Sequence, residues 1–383
     1  IKIGIMTNKP TFLTLPLLKL IDELKDIEVV VCGDTLDEAK PRRYLTLDDQ
    51  VTLAAATSDP DGFISGLTGP VALDEIQRAP ALFQAVKAAV DRDRQAGRFL
   101  LTGSANVMLL LNISESLAGR MEVLSLLPLS SSEINNSPEM NLADWLFDGD
   151  LDALNVPPCE RAVLIERLLS GGYPEAIKRK TQRRRTGWFD NYLQAILYRD
   201  VRELANIEQL TELPNLLSLV AHRSGNLLNL AELSRTADIT QTTLKRYFTL
   251  LETLFLVYRL PAWARNPSKR LVKAPKVFIP DSGLMANLAG WSEERLAPGV
   301  GLSGGLVETF VLSELLKHQA FSDKSLTLWH YRTQSNIEVD FILENRAGLL
   351  TGIEVKASST VDGKDFKGLR HLQETEAKVF QRG

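Results

Sequence analysis

Two short apolar runs with a helical segment between them organise the chain. Residues 70–77 and 98–104 each contain a nearly continuous apolar run, and residues 81–93 repeat apolar positions at helical spacing. Strands that are apolar at successive positions are typical of a parallel sheet whose two faces are both covered. The pattern therefore predicts a strand, a helix and a second, parallel strand in an α/β module.

Polar side chains follow both predicted strands at the point where each strand ends. They are Asp74 and Glu75 after the first strand, and Thr102 and Ser104 after the second. The carboxyl ends of parallel strands meet at one edge of the sheet, and ligands of such folds bind there. We therefore expect these side chains to lie close together.

This set of side chains suits phosphoryl transfer from a nucleotide. An Asp after a buried strand can hold Mg²⁺ through its water shell, and a neighbouring Glu can orient the attacking water. A hydroxyl on the next strand can contact the γ-phosphate. A second interpretation stays open from these residues alone, because buried strands often end in acidic turns without a catalytic role.

The middle of the chain predicts a helix-turn-helix. A short helix over 228–234 is followed by a turn at 236–240, and Thr240 caps a second helix. The strand-like residues 255–263 would supply a wing, which gives a winged helix over residues 222–263. Winged helices bind DNA, or serve as packing and dimer modules. In a DNA-binding module, the residues exposed at the start of the second helix would be Gln241, Thr242, Lys245 and Arg246.

The C-terminal part predicts a small α/β domain. Its pattern predicts one helix and then three strands, over 307–315, 326–332, 337–343 and 352–356. Strand side chains repeat on one side at every second residue, so Glu354 and Lys356 are expected to face the same way. The charged side chains that stand out among the apolar positions are Glu308, Asp340, Glu354 and Lys356.

These charged residues look like the site of PD-(D/E)xK nucleases. In such a site Asp340 and Glu354 would share one or two Mg²⁺ ions, and Lys356 would position or activate the attacking water. Charged groups at inward positions are costly to bury without a metal ion or a salt bridge. A remnant site without cleavage, in which Lys356 pairs with one of the two carboxylates, stays an equal alternative.

Composition narrows the class of protein. The chain has 383 residues, of which 44% are hydrophobic and 24% charged, as in a globular protein of two or three domains. The net charge of -4 gives no overall attraction to nucleic acid, so such a contact would depend on a local patch. The two cysteines do not have the spacing of metal ligands. The sequence has no apolar run of membrane length and no signal peptide, so we expect a cytoplasmic protein.

Three short sequence motifs, at residues 73–80, 100–106 and 115–120, occur in the order found in one protein family. From Pro41 onward the chain resembles the prokaryotic AAA-type ATPases that carry a C-terminal domain of unknown function with a restriction-nuclease-like fold. The resemblance covers most of the chain and implies ATP and Mg²⁺ as cofactors.

The same resemblance implies roles for particular residues. It implies that Asp74 and Glu75 form the Walker B pair, with Asp74 beside the metal ion, and that Ser104 lies in the sensor strand. It also implies that Arg120 senses phosphate or acts as an arginine finger.

The family places a P-loop near the N-terminus, where residues 1–36 predict a strand, a helix and a strand. The turn at residues 4–11 is not a P-loop, and the pattern G-x-x-x-x-G-K-[ST] occurs nowhere in the sequence. Pro10 also removes a backbone donor that such a loop would use. We interpret residues 1–36 as a segment that replaces the P-loop region, so the sequence leaves the binding of ATP and Mg²⁺ open.

These patterns predict an α/β protein with a P-loop-NTPase-like parallel sheet, a helical winged-helix middle and a small restriction-nuclease-like end. The predicted parts are residues 1–36, the ATPase core at 37–135, the helical region at 136–265 and the nuclease-like domain at 266–383, which stops within a strand.

Three functional hypotheses follow from this organisation. The first is an AAA-type ATP-binding protein that hydrolyses ATP and associates with nucleic acid. The second is a regulatory or interaction protein that lacks a P-loop and does not hydrolyse, and the third is a Mg²⁺-dependent nuclease. The expected partners are a nucleotide and, as a candidate, DNA; no membrane is expected, and an oligomer is compatible with the sequence.

Overall fold

The fold is given by a computed structural model that describes most of the chain. The described residues are 4–6, 29–31, 43–94, 97–104, 121, 123, 125–136, 141–150, 158–197, 212–296, 301–322, 324–358 and 360–383. They fall into two compact units, one built around the sheet of residues 43–101 and the other formed by most of the residues from 127 onward.

The first unit contains a three-stranded parallel sheet. A separate parallel pair is formed by β1 (Gly4–Met6) and β2 (Val29–Val31), as predicted for the two ends of residues 1–36. The larger sheet has the order β3-β4-β5, with strands Arg43–Thr46, Val71–Asp74 and Phe99–Leu101. Its helices are α1 (Gln50–Ser58), α2 (Pro60–Ser65) and α3 (Leu82–Arg92). The prediction of a parallel strand, helix and strand over residues 70–103 is confirmed.

The apolar runs that predicted this sheet form its core. Leu73 of β4 is fully buried, and the α3 face with Leu82, Phe83 and Val86 packs into the same cluster. Burial of one such side chain contributes about 1.5–3 kcal/mol. The core therefore fixes the position of β4 and, with it, the polar residues that follow the strand.

The second unit begins with helices. They are α4 (Ser131–Ile134), α5 (Leu142–Asp148), α6 (Arg161–Ser170), α7 (Pro174–Ile177), α8 (Gln182–Ala195), α9 (Leu213–His222), α10 (Leu230–Ala237) and α11 (Gln241–Thr253). The division into units assigns α11 to the second unit up to Phe248 and to the first unit from Thr249. The two helices expected in the helix-turn-helix are thus present as α10 and α11. Between them Asp238 adopts a left-handed conformation with φ 54°, and the side chain of Thr240 accepts a hydrogen bond from the Thr243 amide at 3.3 Å.

The expected wing is shorter than the apolar pattern suggested. Strand β6 covers Tyr258–Leu260 and pairs antiparallel with β7 (Lys276–Phe278), a pairing that the sequence did not predict. Whether these elements act as a DNA-binding winged helix stays a prediction.

The chain ends in a four-stranded mixed sheet of order β11-β10-β9-β8. Its strands are β8 (Thr327–Arg332), β9 (Glu338–Glu344), β10 (Leu350–Ile353) and β11 (Phe380–Arg382). The remaining helices are α12 (Pro267–Val272), α13 (Ser282–Ala289), α14 (Gly304–Ala320) and α15 (Lys367–Thr375). Apolar residues of α14 and α15 pack in two separate clusters with residues of β9.

The strand predicted over 352–356 was wrong in its bounds. Strand β10 ends at Ile353, so Glu354 and Lys356 follow the strand rather than lie within it. The amide of Val355 donates a hydrogen bond to Oδ2 of Asp340 at 3.0 Å. This side-chain contact takes the place of a backbone ladder bond, which ends the strand at this point.

A search of the described helices found none that combines the length and the apolar character needed to cross a membrane.

Candidate functional site

The carboxylate of Asp74 is held at the edge of the parallel sheet by two hydroxyl groups. The hydroxyl of Tyr44, from β3, donates to Oδ2 at 2.6 Å, and the hydroxyl of Thr102, just after β5, donates to Oδ1 at 2.5 Å. Burial and the hydrogen bond to Asp74 raise the pKa of Tyr44 above its ordinary value, so its proton stays in place. Both oxygens of Asp74 are therefore oriented from the two neighbouring strands.

Glu75 leaves the strand in an unusual backbone conformation. Its φ of 56° and ψ of 40° lie in the left-handed region, and it precedes the short 3₁₀ turn Ile76–Arg78. Non-glycine residues adopt this region uncommonly, and such residues cluster at functional sites. The amide of Ile76 donates to the carbonyl of Thr102 at 3.0 Å, which ties the turn to the end of β5.

Gln77 connects Glu75 and Ser104, two residues that the sequence predicted at this edge. Its Nε2 donates to Oε2 of Glu75 and, at 3.1 Å, to the hydroxyl of Ser104. Gln77 is buried, whereas Ser104 is exposed. The expectation that Asp74, Glu75, Thr102 and Ser104 lie together is thus met by the geometry of the sheet edge. The predicted role of Arg120 lies outside the described residues.

Two members of this edge were missed in the sequence, Tyr44 and Gln77. Tyr44 lies two residues before Thr46, which pairs with Asp74 in the parallel register. The two-residue period of a strand therefore places Tyr44 on the same face as Asp74, and this signal could have identified it. No comparable periodic signal marks Gln77, because it lies in a 3₁₀ turn.

The chemistry of this edge fits a magnesium nucleotide. Mg²⁺ prefers oxygen ligands, keeps several waters, and is commonly bound by one or two carboxylates together with substrate phosphates. Asp74 and Glu75 supply two carboxylates, and Ser104 supplies an exposed hydroxyl. Within the described ranges no group of three or more His, Cys, Asp or Glu side chains is placed to hold a metal ion by itself.

A second charged cluster surrounds a buried lysine in the second unit, which we also call the C-terminal unit. Nζ of Lys276 lies 2.9 Å from Oδ1 of Asp340, 2.8 Å from Oε1 of Glu338 and 3.3 Å from Oε2 of Glu308. Lys276 is only 2% exposed. Burial opposes its charged form, but the three carboxylates outweigh burial and raise the pKa of Lys276. The ammonium group of Lys276 thus pairs with all three carboxylates, and Glu338 also pairs with Arg332 at 3.0 Å.

The predicted nuclease-like residues meet at this cluster. Burial raises the pKa of Glu308 to about 7, although Lys276 acts in the opposite direction. Nζ of Lys356 lies 2.7 Å from Oε1 of Glu354, which is the ion pair expected for a remnant site. Burial raises the pKa of Glu354, and its buried Oε2 has no hydrogen-bond partner among the described residues. The metal-binding role of Asp340 and Glu354 stays a prediction.

The sequence did not identify Lys276 and Glu338 as part of this cluster. Glu338 lies two residues before Asp340 in β9, so the strand period places both on one face. Lys276 reaches them from β7, a strand that was not predicted. The four residues expected at the start of the recognition helix, Gln241, Thr242, Lys245 and Arg246, are exposed at the start of α11.

Comparison with known proteins matches three family models along the chain. A model described as an AAA domain matches residues 17–135, and two domains of unknown function, DUF8612 and DUF4143, match residues 161–295 and 303–382. The AAA match begins within the segment that we interpreted as replacing the P-loop region. It includes Asp74, Glu75 and Ser104.

Similar curated proteins are uncharacterized. Relatives from Mycobacterium bovis and Mycobacterium tuberculosis are each 33% identical over 311 residues, which are 80% of this chain and 63% of the relative. A relative from Haemophilus influenzae is 23% identical over 297 residues, 74% of this chain and 65% of that protein. The chain thus spans slightly less than two thirds of the length of these relatives. No solved structure matches this chain.

Proposed function

The chain belongs to the AAA-type proteins that carry a C-terminal domain of unknown function, and we propose that its first unit binds a magnesium nucleotide at the edge formed by β3, β4 and β5. One observation carries the proposal. The carboxylate of Asp74 is oriented by hydroxyl groups of both neighbouring strands, beside Glu75 and the exposed Ser104.

Each residue has a distinct task in this proposal. Asp74 would hold Mg²⁺ through its water shell, Glu75 would orient the attacking water and accept its proton, and Ser104 would donate to the terminal phosphate. Mg²⁺ held there would supply positive charge for the phosphate oxygens. Tyr44 and Thr102 keep the Asp74 carboxylate from rotating away from this task.

The second hypothesis is a non-hydrolysing regulatory or interaction protein. The printed sequence contains no G-x-x-x-x-G-K-[ST], so the proposal assigns the phosphate cradle to none of the described residues. Nucleotide binding without turnover would favour this second hypothesis over an ATPase.

Removal of one hydroxyl group tests the proposed role of Asp74. Tyr44→Phe is expected to weaken the affinity for MgATP by about three- to tenfold, because one hydrogen bond to the carboxylate is lost. Isothermal titration of the wild type and the variant measures this change. Thr102→Val is the matched variant on the other strand and should act in the same direction. Unchanged affinity in both variants would contradict the assignment of Asp74.

A Mg²⁺-dependent nuclease is a further candidate for the C-terminal unit, with DNA held by α11. The proximity of Glu308, Asp340, Glu354 and Lys356 favours it.

Two variants test this candidate. We expect DNA binding to weaken in a variant with Lys245→Ala and Arg246→Ala. We expect Mg²⁺-dependent cleavage to be lost in Lys356→Ala. One set of binding and cleavage assays with single- and double-stranded DNA and RNA measures both. Absence of cleavage of all these substrates would count against the nuclease.

A further inference from the structure

The buried side chain of Gln77 donates hydrogen bonds to both Glu75 and Ser104. We propose that Gln77 is a positioning residue that couples Ser104 to Glu75, so that the state of the terminal phosphate at Ser104 reaches the carboxylate of Glu75. The inference rests on the proposed nucleotide function and names how that site distinguishes a triphosphate from a diphosphate.

The chemistry of the two partners fixes the orientation of the Gln77 amide. An ionised carboxylate only accepts hydrogen bonds, so the atom of Gln77 that faces Glu75 must be the NH₂ group. The same NH₂ group donates its second proton to Oγ of Ser104 at 3.1 Å. Because Ser104 Oγ accepts from Gln77, its own proton is left to donate to another acceptor.

The backbone around Gln77 holds the amide in place. The turn Ile76–Arg78 is tied to Thr102 by the Ile76 amide, at 3.0 Å, and closed by a bond of 3.1 Å from the Ala79 amide to the Ile76 carbonyl. The Gln77 side chain is 8% exposed. It therefore has little freedom to reach other partners.

Gly103 provides the space that this arrangement needs. A Cβ added at Gly103 would lie 2.2 Å from Oε1 of Gln77, well inside contact distance. Oε1 is buried and has no hydrogen-bond partner within the described part of the chain. An orphaned buried acceptor is unfavourable unless other contacts hold the group there. The bonds of the NH₂ group to Glu75 and Ser104 are the contacts that do so.

Hydrogen bonds in a connected series strengthen one another. A terminal phosphate oxygen that accepts the Ser104 proton polarises the hydroxyl and strengthens its bond from Gln77. Gln77 shares the same NH₂ group with Glu75, so the carboxylate responds to the phosphate without touching it. A diphosphate lacks the third phosphate group, so it has no phosphate oxygen to accept the Ser104 proton at that place.

The test measures two affinities by isothermal titration calorimetry, one for the magnesium complex of a non-hydrolysable ATP analogue and one for that of ADP. The quantity compared is the ratio of the first affinity to the second. Gln77→Met keeps the size of the side chain and removes its hydrogen bonds. We expect the preference for the triphosphate to fall about tenfold in Gln77→Met and in Ser104→Ala. In the double variant, which combines Gln77→Met with Ser104→Ala, the ratio should differ by less than about twofold from the ratio in Gln77→Met alone.

Gly103→Ala is an independent variant, because it displaces the Gln77 amide and leaves its chemistry intact. It should lower the ratio as Gln77→Met does, while Gln84→Met, an exposed position on α3, should leave the ratio unchanged. Wild-type ratios in both Gln77→Met and Gly103→Ala, or additive effects of Gln77→Met and Ser104→Ala, would overturn the inference alone. Absence of nucleotide binding by the wild type would overturn the proposed function and, with it, the inference.

Discussion

Replacing Lys276 with methionine is expected to lower the free energy of unfolding of the C-terminal unit by about 3–5 kcal/mol. The substitution keeps an apolar chain of similar length but removes the cation between Glu308, Glu338 and Asp340. Glu338 keeps Arg332 as a counter-ion, whereas Glu308 and Asp340 lose the ammonium group of Lys276. Mostly buried carboxylates without a counter-ion are strongly unfavourable, which makes this loss larger than that of a surface ion pair. Urea denaturation followed by tryptophan fluorescence measures it, since all five tryptophans lie between residues 145 and 329.

The pH dependence separates this electrostatic effect from a packing effect. Burial raises the pKa of Glu308 to about 7 even though Lys276 acts in the opposite direction. Without Lys276 the folded variant therefore binds more protons at this carboxyl group than the unfolded chain does. Stability of the variant should therefore fall as the pH rises, and its deficit should be smaller at pH 5 than at pH 8. Lys269→Met, at an exposed position of α12, is the control. A deficit that is small, or equal at both pH values, would contradict the account of this cluster.

Replacing Glu75 with glutamine is expected to lower ATP hydrolysis about 100-fold or more while MgATP affinity changes by less than about threefold. Glutamine keeps the shape of the side chain and can still accept from Gln77, but it cannot take a proton from water. Turnover assays with titration of MgATP separate the two effects. Asp61→Asn, which alters an exposed carboxylate of the same unit, should leave both quantities unchanged.

Two results would contradict the prediction for Glu75 in different ways. Wild-type turnover in Glu75→Gln would exclude Glu75 as the residue that activates water. Absence of turnover in the wild type, with MgATP bound, would instead leave the non-hydrolysing hypothesis as the account of this chain.

The parallel sheet was predictable because its signal is local. The apolar runs that include Leu73 and Leu101 and the helical spacing between them identified the elements, and the geometry of parallel strands then placed the polar residues at one edge. Tyr44 follows from the same two-residue period once the register of β3 is known. The orphaned oxygen of Gln77 and the space at Gly103 depend on side-chain packing, which no sequence pattern states.

The C-terminal cluster was only partly predictable because its cation comes from a distant part of the chain. Lys276 is placed by the pairing of β6 with β7, whose residues are separated by an intervening helix and carry no hairpin signal. The end of β10 was misplaced because the Asp340 side chain binds the amide of Val355. A tertiary contact of this kind overrides the local strand pattern of Glu354 and Lys356.

The most direct test of the central claim is a titration of the purified chain with MgATP, carried out on the wild type, Asp74→Ala and Asp61→Ala. The account predicts binding by the wild type and by Asp61→Ala, and an affinity at least about tenfold weaker in Asp74→Ala, because the carboxylate that holds the metal is lost. Absence of binding at millimolar nucleotide, or binding that Asp74→Ala leaves unchanged, would contradict a nucleotide site at the edge of β3, β4 and β5.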